Sequence, residues 1–197
     1  MTIVSLILLA AGASTRMGTA KQLLPYGGRS LLRHAAEVAI ASICDGVIVV
    51  VGSQAERMRS ELLHLPLQVV ENLRWTEGMG SSIQAGLTEA IARQPDLGAV
   101  LIMLADQPLL TSSSLNQFVL RYQQTQCPIV AATYGGTLGV PALFDRRLFP
   151  DLAHLPAAVG AKSLIKRYAT QAETISLPEG AIDIDTPMDY NSLLSSG

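Results

Sequence analysis

Cysteine is nearly missing from this chain. Only Cys44 and Cys127 occur in 197 residues, and neither belongs to a CxxC pair or a Cys/His cluster. That excludes a disulfide framework and a cysteine-based zinc site, leaving two small hydrophobes suited to a reducing compartment. Aromatic residues are scarce at 5%, so any core must be built from Leu, Ile, Val and Ala. Charged residues make up 15% and balance to a formal net charge of −2. Nucleic-acid binding calls for a basic face; without one, any bound nucleotide is expected to be a small molecule held by a few placed cations. Long apolar runs are absent too. The start, MTIVSLILLAAG, is apolar for about nine residues and carries no basic cluster. A helix needs ~20 residues to span a bilayer, and a secretory leader needs a basic n-region. The expectation is a cytoplasmic protein with no membrane segment and no nucleic-acid partner.

What the chain does have is alternation. Short, mostly apolar runs at residues 3–10, 46–52, 67–70, 99–104 and 129–134 read as strands, the first of them unbroken as a strand buried on both faces should be. Between them lie segments with helical spacing: LLRHAAEVAIAS, capped by Ser30; QAERMRSELL, capped by Ser53; IQAGLTEAIARQ, opened by TEGMGSS; and residues 112–124. Strands and helices in this order predict βαβ units around a mostly parallel sheet with right-handed crossovers. From Gly135 on the pattern is less regular, and an edge hairpin, two helices and a closing strand are expected. No linker or repeat interrupts residues 1–197, so one α/β domain of three layers is the economical reading. A chain this long can bury ~70% of the surface its unfolded form exposes.

In open α/β sheets, ligands bind beyond the carboxyl ends of the strands. Three unusual loops leave strand ends here and are expected to share one crevice. In the first, LLAAGASTRMGTAKQLLPYGG, Gly12 permits a tight turn that aims backbone N–H groups at phosphate oxygens, and Arg16 and Lys21 add cations. The loop is neither a Walker A sequence nor GxGxxG. In ADQP, Asp106 ends a buried strand ahead of Pro108, a good anchor for Mg²⁺, which takes oxygen ligands from one or two carboxylates plus phosphates and water. In EGMGSS, Gly78 and Gly80 allow close backbone approach, while Ser81 and Ser82 offer hydroxyls at a helix N-terminus; the competing reading is a Ser-capped helix. Asn72, just past the third strand, is a weaker candidate. In AIDIDTPMDY, Asp183 and Asp185 are two apart on an expected strand and so face one side. Asp185-Thr186-Pro187 also reads as a helix start. His34, His64 and His154 form no catalytic pattern; Trp75 has two readings, a cover over the nucleotide site and a packing residue, of which packing is preferred.

The string LAAGASTRMGTAKQLLPYGG resembles the signature of the MobA-like nucleotidyltransferases, and EGMGSSIQAGL, LADQP and DIDTPMDY resemble three further blocks of that family in the same order. Within it, the look is that of the molybdenum cofactor cytidylyltransferase branch. The resemblance implies a Rossmann-like, nucleotide-diphospho-sugar-transferase-like fold and Mg²⁺-dependent transfer of CMP from CTP to a phosphorylated acceptor of molybdopterin type, with pyrophosphate released. It implies that Leu9, Ala10, Ala11 and Gly12 wrap the nucleotide, that Lys21 and Arg16 neutralise the triphosphate, and that Asp106 and Asp185 hold the metal. It further assigns the base and ribose to the loop carrying Gly78, Gly80, Ser81 and Ser82. The Ala at position 11, where GTP-using relatives look like LAGG, implies CTP over GTP. Two blocks depart from the pattern: Val140 replaces a polar residue, and Ala157-Ala158 with Lys162 replace an acidic Gly-Asp…Arg block. Both belong to the acceptor side, so another phosphorylated metabolite is the sibling reading. A non-catalytic accessory protein that delivers nucleotide or cofactor to a molybdoenzyme is the alternative from a different class.

Overall fold

The computed structural model describes residues 2–14 and 17–195. In chain order these form strand β1 (Val4–Leu9), a small hairpin of β2 (Pro25–Tyr26) and β3 (Arg29–Ser30), helix α1 (Leu31–Ile40), β4 (Gly46–Val51), α2 (Ala55–Glu61), β5 (Gln68–Glu71), α3 (Met79–Arg93), β6 (Ala99–Leu104), α4 (Ser112–Thr125), β7 (Ile129–Tyr134), β8 (Thr137–Asp145), α5 (Phe149–Ala153), α6 (Lys162–Arg167), β9 (Ala172–Ser176) and α7 (Pro187–Ser195). Seven of the strands make one sheet in the order β5-β4-β1-β6-β8-β7-β9.

β1 lies at the centre of the parallel half, between β4 and β6. A central strand covered on both faces has no solvent side, which is why its residues are apolar without alternation. Leu6 and Leu8 face one layer, where Leu32, Ala35, Ala36 and Ala39 of α1, Met58 of α2, and Leu115, Phe118 and Tyr122 of α4 pack. Ile7 and Leu9 face the other, against Ile83 and Leu87 of α3, Leu152 of α5 and Leu164 of α6. The result is the expected three-layer, mostly parallel α/β architecture. α3 comes unusually close to the sheet, because a side chain on Gly86 would stand 2.6 Å from Ile7 Cγ2. Among the described residues no helix is long and apolar enough to cross a membrane.

Ser30 caps α1 as expected, its hydroxyl accepting from Arg33 N at 3.1 Å. Ser53 does not cap α2. Its N–H donates to Ala11 O, and α2 starts after Gln54, which is in the left-handed conformation and gives no side-chain cap. The β7–β8 hairpin is not at the edge. β8 runs antiparallel between β6 and β7, and its second half is continuously buried. The edge is taken by β9, whose AETIS sequence keeps only Ile175 buried. The last part of the chain holds three helices, α5, α6 and α7, rather than two.

Candidate active site

The loops after β1 and β6 open onto a crevice of about 530 Å³, within the range of small-molecule sites. One wall is the segment from Leu9 to Ser14. Ala10 N still bonds Val50 O at 2.8 Å, after which the chain leaves the sheet. The left-handed turn falls at Ser14, with φ of 54°, and not at Gly12. A side chain on Gly12 would meet only Gln22 Nε2 at 4.0 Å, so its glycine leaves open space over the crevice. Arg16 lies outside the described residues.

Lys21 is at the floor. Its ammonium bonds Asp106 Oδ2 at 2.6 Å and Asp185 Oδ1 at 2.9 Å. The cation expected to meet phosphate thus bridges the two carboxylates expected to hold metal, the nearest anions to it. Burial alone would lower its pKa, but Asp106 first and Asp185 second raise it above the ordinary 10.5. Asp106 Oδ1 is buried and takes no hydrogen bond among the described residues. Asp183 lines the same crevice; although much of it is exposed, partial desolvation and then the charges of Asp106 and Asp185 push its carboxyl up to about 6. Among the described residues no set of three His, Cys, Asp or Glu is arranged to hold a metal ion unaided.

Asp183 and Asp185 share the crevice as expected, but no strand puts them there. Ile184 between them is fully buried in a small cluster with Leu31 and Leu193, and Ile184 N bonds Asp106 O at 3.0 Å. Burial of the middle residue turns its neighbours the same way. The helix-start reading also holds. Thr186 Oγ1 accepts from Asp189 N, Asp189 Oδ2 accepts from Thr186 N, and Pro187 opens α7.

Residues 6–173 match the MobA-like NTP transferase domain. The chain belongs to that family and is a nucleotidyltransferase. It is 30% identical to the nicotine blue oxidoreductase of Paenarthrobacter nicotinovorans, with 95% of each chain covered. Among solved structures it resembles an rv0371c homolog from Mycobacterium sp. strain JC1, at a TM-score of 0.84 and 31% identity over 98% of this chain and 96% of that one. It also resembles Rv0371c of Mycobacterium tuberculosis H37Rv in complex with manganese, at 0.76 and 28% over the whole of both chains.

The second wall of this MobA-like site comes from residues 75–82, and here the candidates separate. Gly78 and Ser82 line the crevice, whereas Asn72, Gly80 and Ser81 do not. Asn72 Nδ2 donates to Ser81 Oγ at 2.8 Å and Ser82 Oγ at 3.0 Å, its Oδ1 accepts from Arg74 N, and Ser81 Oγ bonds Gly78 O. Asn72 and Ser81 are therefore a buried brace behind the wall. Ser81 and Ser82 lie inside the first turn of α3 and do not cap it. The glycines serve packing against protein: a side chain on Gly80 would come within 2.4 Å of Pro156 O, and one on Gly78 within 2.7 Å of Ala157 O. Trp75 does line the crevice, because Gly52 lets it in; a side chain there would reach 2.6 Å from Trp75 Cβ and 2.9 Å from Ala11 Cβ.

Sequence reasoning missed Ala13, Ser14, Gln22, Thr76, Met79, Leu104 and Ala105 as lining residues. For Gln22 the signal was an amide beside apolar neighbours in KQLLP. The departing Val140 meets this region through its backbone, its carbonyl accepting from Gln107 Nε2 and the Tyr134 hydroxyl. His34 is structural, with Nε2 at 2.9 Å from Pro108 O. Cys44 packs against the core, where burial pushes its thiol up to about 11.

Proposed function

We propose that residues 1–197 act as one domain that transfers CMP from CTP to a phosphorylated acceptor, a molybdopterin-type cofactor, and releases pyrophosphate. The observation that carries this reading is Asp106 in the crevice beside Lys21, with one oxygen on the ammonium and the other buried with no donor among the described residues. A buried carboxylate oxygen without a partner is costly, and a divalent cation is the partner that suits it. Mg²⁺ needs only one or two carboxylates when substrate phosphates supply further oxygens, so Asp106 and Asp185 suffice and a third ligand is not required. When bound there, Mg²⁺ would neutralise charge on the triphosphate and on the departing pyrophosphate. The manganese in the similar structure of Rv0371c supports a divalent ion here.

The chain's own residues do the positioning. Lys21 stays charged through neutral pH and carries its ammonium at the crevice floor. Arg16 belongs to the same loop. Gly78, Ser82 and Trp75 form the wall offered to base and ribose. An acceptor phosphate is already largely ionised at neutral pH, with a second pKa near ~6. One of its oxygens attacks the α-phosphorus as the bond to pyrophosphate breaks, and no side chain has to take a proton. Such a transfer depends on alignment and charge. Ala11, buried and lining the crevice, supports a pyrimidine over a purine.

The test is pyrophosphate release from purified protein with a panel of triphosphates, with and without acceptor and Mg²⁺. Release that needs both additions and favours CTP is expected; no release with any combination would overturn the reading. Val140 and Ala157-Ala158 support the sibling reading, the same chemistry on another phosphorylated metabolite, which an acceptor panel in the same assay separates. Nucleotide binding without turnover on any acceptor would point to an accessory protein.

A further inference from the structure

We infer that Gln22 is a positioning residue that sets the backbone of residues 10–14 to receive the triphosphate. The inference rests on the reading above, in which this segment cradles phosphate. Gln22 is 4% exposed, and a buried amide is tolerated only when hydrogen-bonded. Among the described residues, all of its side-chain bonds go to one loop. Nε2 donates to Ala10 O at 3.2 Å and Gly12 O at 3.0 Å, and Oε1 accepts from the Ser14 hydroxyl at 3.1 Å. Ser14 Oγ in turn accepts from Lys21 N at 3.2 Å. One side chain therefore grips alternate carbonyls on the outgoing arm of the loop, and Ser14 ties that arm to the residue bearing the ammonium.

The consequence follows from peptide planarity. In a trans peptide the C=O and the next N–H point in opposite directions. With the carbonyls of Ala10 and Gly12 turned to Gln22, the N–H groups of Ala11 and Ala13 face away from it. Both residues line the crevice, and among the described residues neither N–H has an acceptor. Ala11 is 5% exposed, and an N–H left unpaired in a buried residue calls for a partner. Two such donors, on residues 11 and 13, are groups that can bond phosphate oxygens. Gln22 reaches the nucleotide through the loop it holds.

The experiment is calorimetric titration of wild type, Gln22→Met and Ser14→Ala with CTP and, separately, with cytidine. Methionine keeps the length of Gln22 and removes both donors and the acceptor. The Kd for CTP is expected to rise about tenfold in Gln22→Met, the effect of losing one well-made set of hydrogen bonds. The Kd for cytidine should stay within about twofold, because cytidine has no phosphate. Ser14→Ala should shift CTP in the same direction by a smaller factor. A general structural role would weaken both ligands alike, or lower the melting temperature and leave Kd unchanged; either result overturns the inference. Failure of both variants to fold would likewise make Gln22 a structural residue. Wild type that binds no triphosphate would instead refute the proposed function itself, whereas wild type that binds CTP and variants that bind it equally would refute the role of Gln22 alone.

Discussion

Replacing Lys21 with Met tests the arrangement at the crevice floor most directly. The side chain of Lys21 is 13% exposed, that of Asp106 17%, and that of Asp185 37%. Breaking a fully buried pair by removing one partner costs ~3–5 kcal/mol, and an exposed pair contributes ~0–1 kcal/mol. The bond to Asp106 falls toward the first case and that to Asp185 toward the second, so a total of about 2 kcal/mol is reasonable. For a domain of this length that is a fall of ~4–8 °C in Tm. Because the Lys21 pKa is raised above 10.5, the ammonium's contribution is complete below pH 10.5 and lost only as pH rises through the higher folded value. Melts at pH 7.5 in chelator-treated buffer therefore capture it whole. Mg²⁺ or Mn²⁺ should then restore much of the loss, since a cation that binds only the folded form stabilises it by mass action. The rise should exceed that of wild type, whose lysine competes for the same carboxylates. Turnover should fall by about a hundredfold or more even with metal, as when a preorganised charge is removed from a transfer site. An unchanged melting temperature without metal, or equal metal-induced rises in variant and wild type, would refute the reasoning.

Asp106→Asn keeps size and should fold, yet lose turnover by orders of magnitude at all Mg²⁺ concentrations; wild-type rates at saturating Mg²⁺ would remove Asp106 from the site. Ala11→Gly should narrow the preference for CTP over GTP, because a methyl difference is worth ~1–3 kcal/mol in a pocket; competition at equal concentrations reads the ratio directly. Asp145 accepts from the Tyr122 hydroxyl at 2.6 Å and from Arg147 N and Nε. Burial opposes its charge, but Arg147 and Tyr122 outweigh burial and hold the carboxyl below 3.8. Its stabilisation is thus present above pH 3.8 and lost as pH falls through the folded value, so Asp145→Asn should melt several degrees lower at pH 7, with the gap closing in melts near pH 3.

The parts of the fold legible in the sequence were those fixed by local pattern. β6 and β7 fall on the runs at 99–104 and 129–134, because a strand buried on both faces shows as a mostly apolar run. The place of β8 was not legible, since a hairpin reads the same whether its second strand takes the edge or the interior. Alternation in AIDID looked like a strand, yet the same alternation arises when Ile184 alone is buried between two crevice carboxylates. At the site, residue type found Lys21, Asp106 and Asp185, but not that the lysine sits between the carboxylates. That arrangement depends on which anions lie nearest, a distance set by residues 85 and 164 positions apart in the chain. Gln22 escaped because its importance lies in three hydrogen bonds to one loop, and no spacing rule marks a buried amide.

The departures from the family pattern also take on a physical meaning. Residues 156–159 press against the second wall through backbone atoms. Gly80 N donates to Ala157 O at 2.8 Å, and side chains at positions 78 and 80 would collide with the carbonyls of Ala157 and Pro156. The glycines therefore fix how closely this segment approaches, whatever side chains it carries. Ala158 is exposed and Ala157 half-buried, so changing them leaves the contact that holds the wall intact. Val140 likewise joins the network of Gln107 and Tyr134 through its carbonyl, which any residue supplies. A segment anchored by its backbone can exchange its side chains at small cost to the wall that carries Ser82 and Gly78. That is the condition under which one side of a transferase site can change its acceptor while the other keeps its nucleotide.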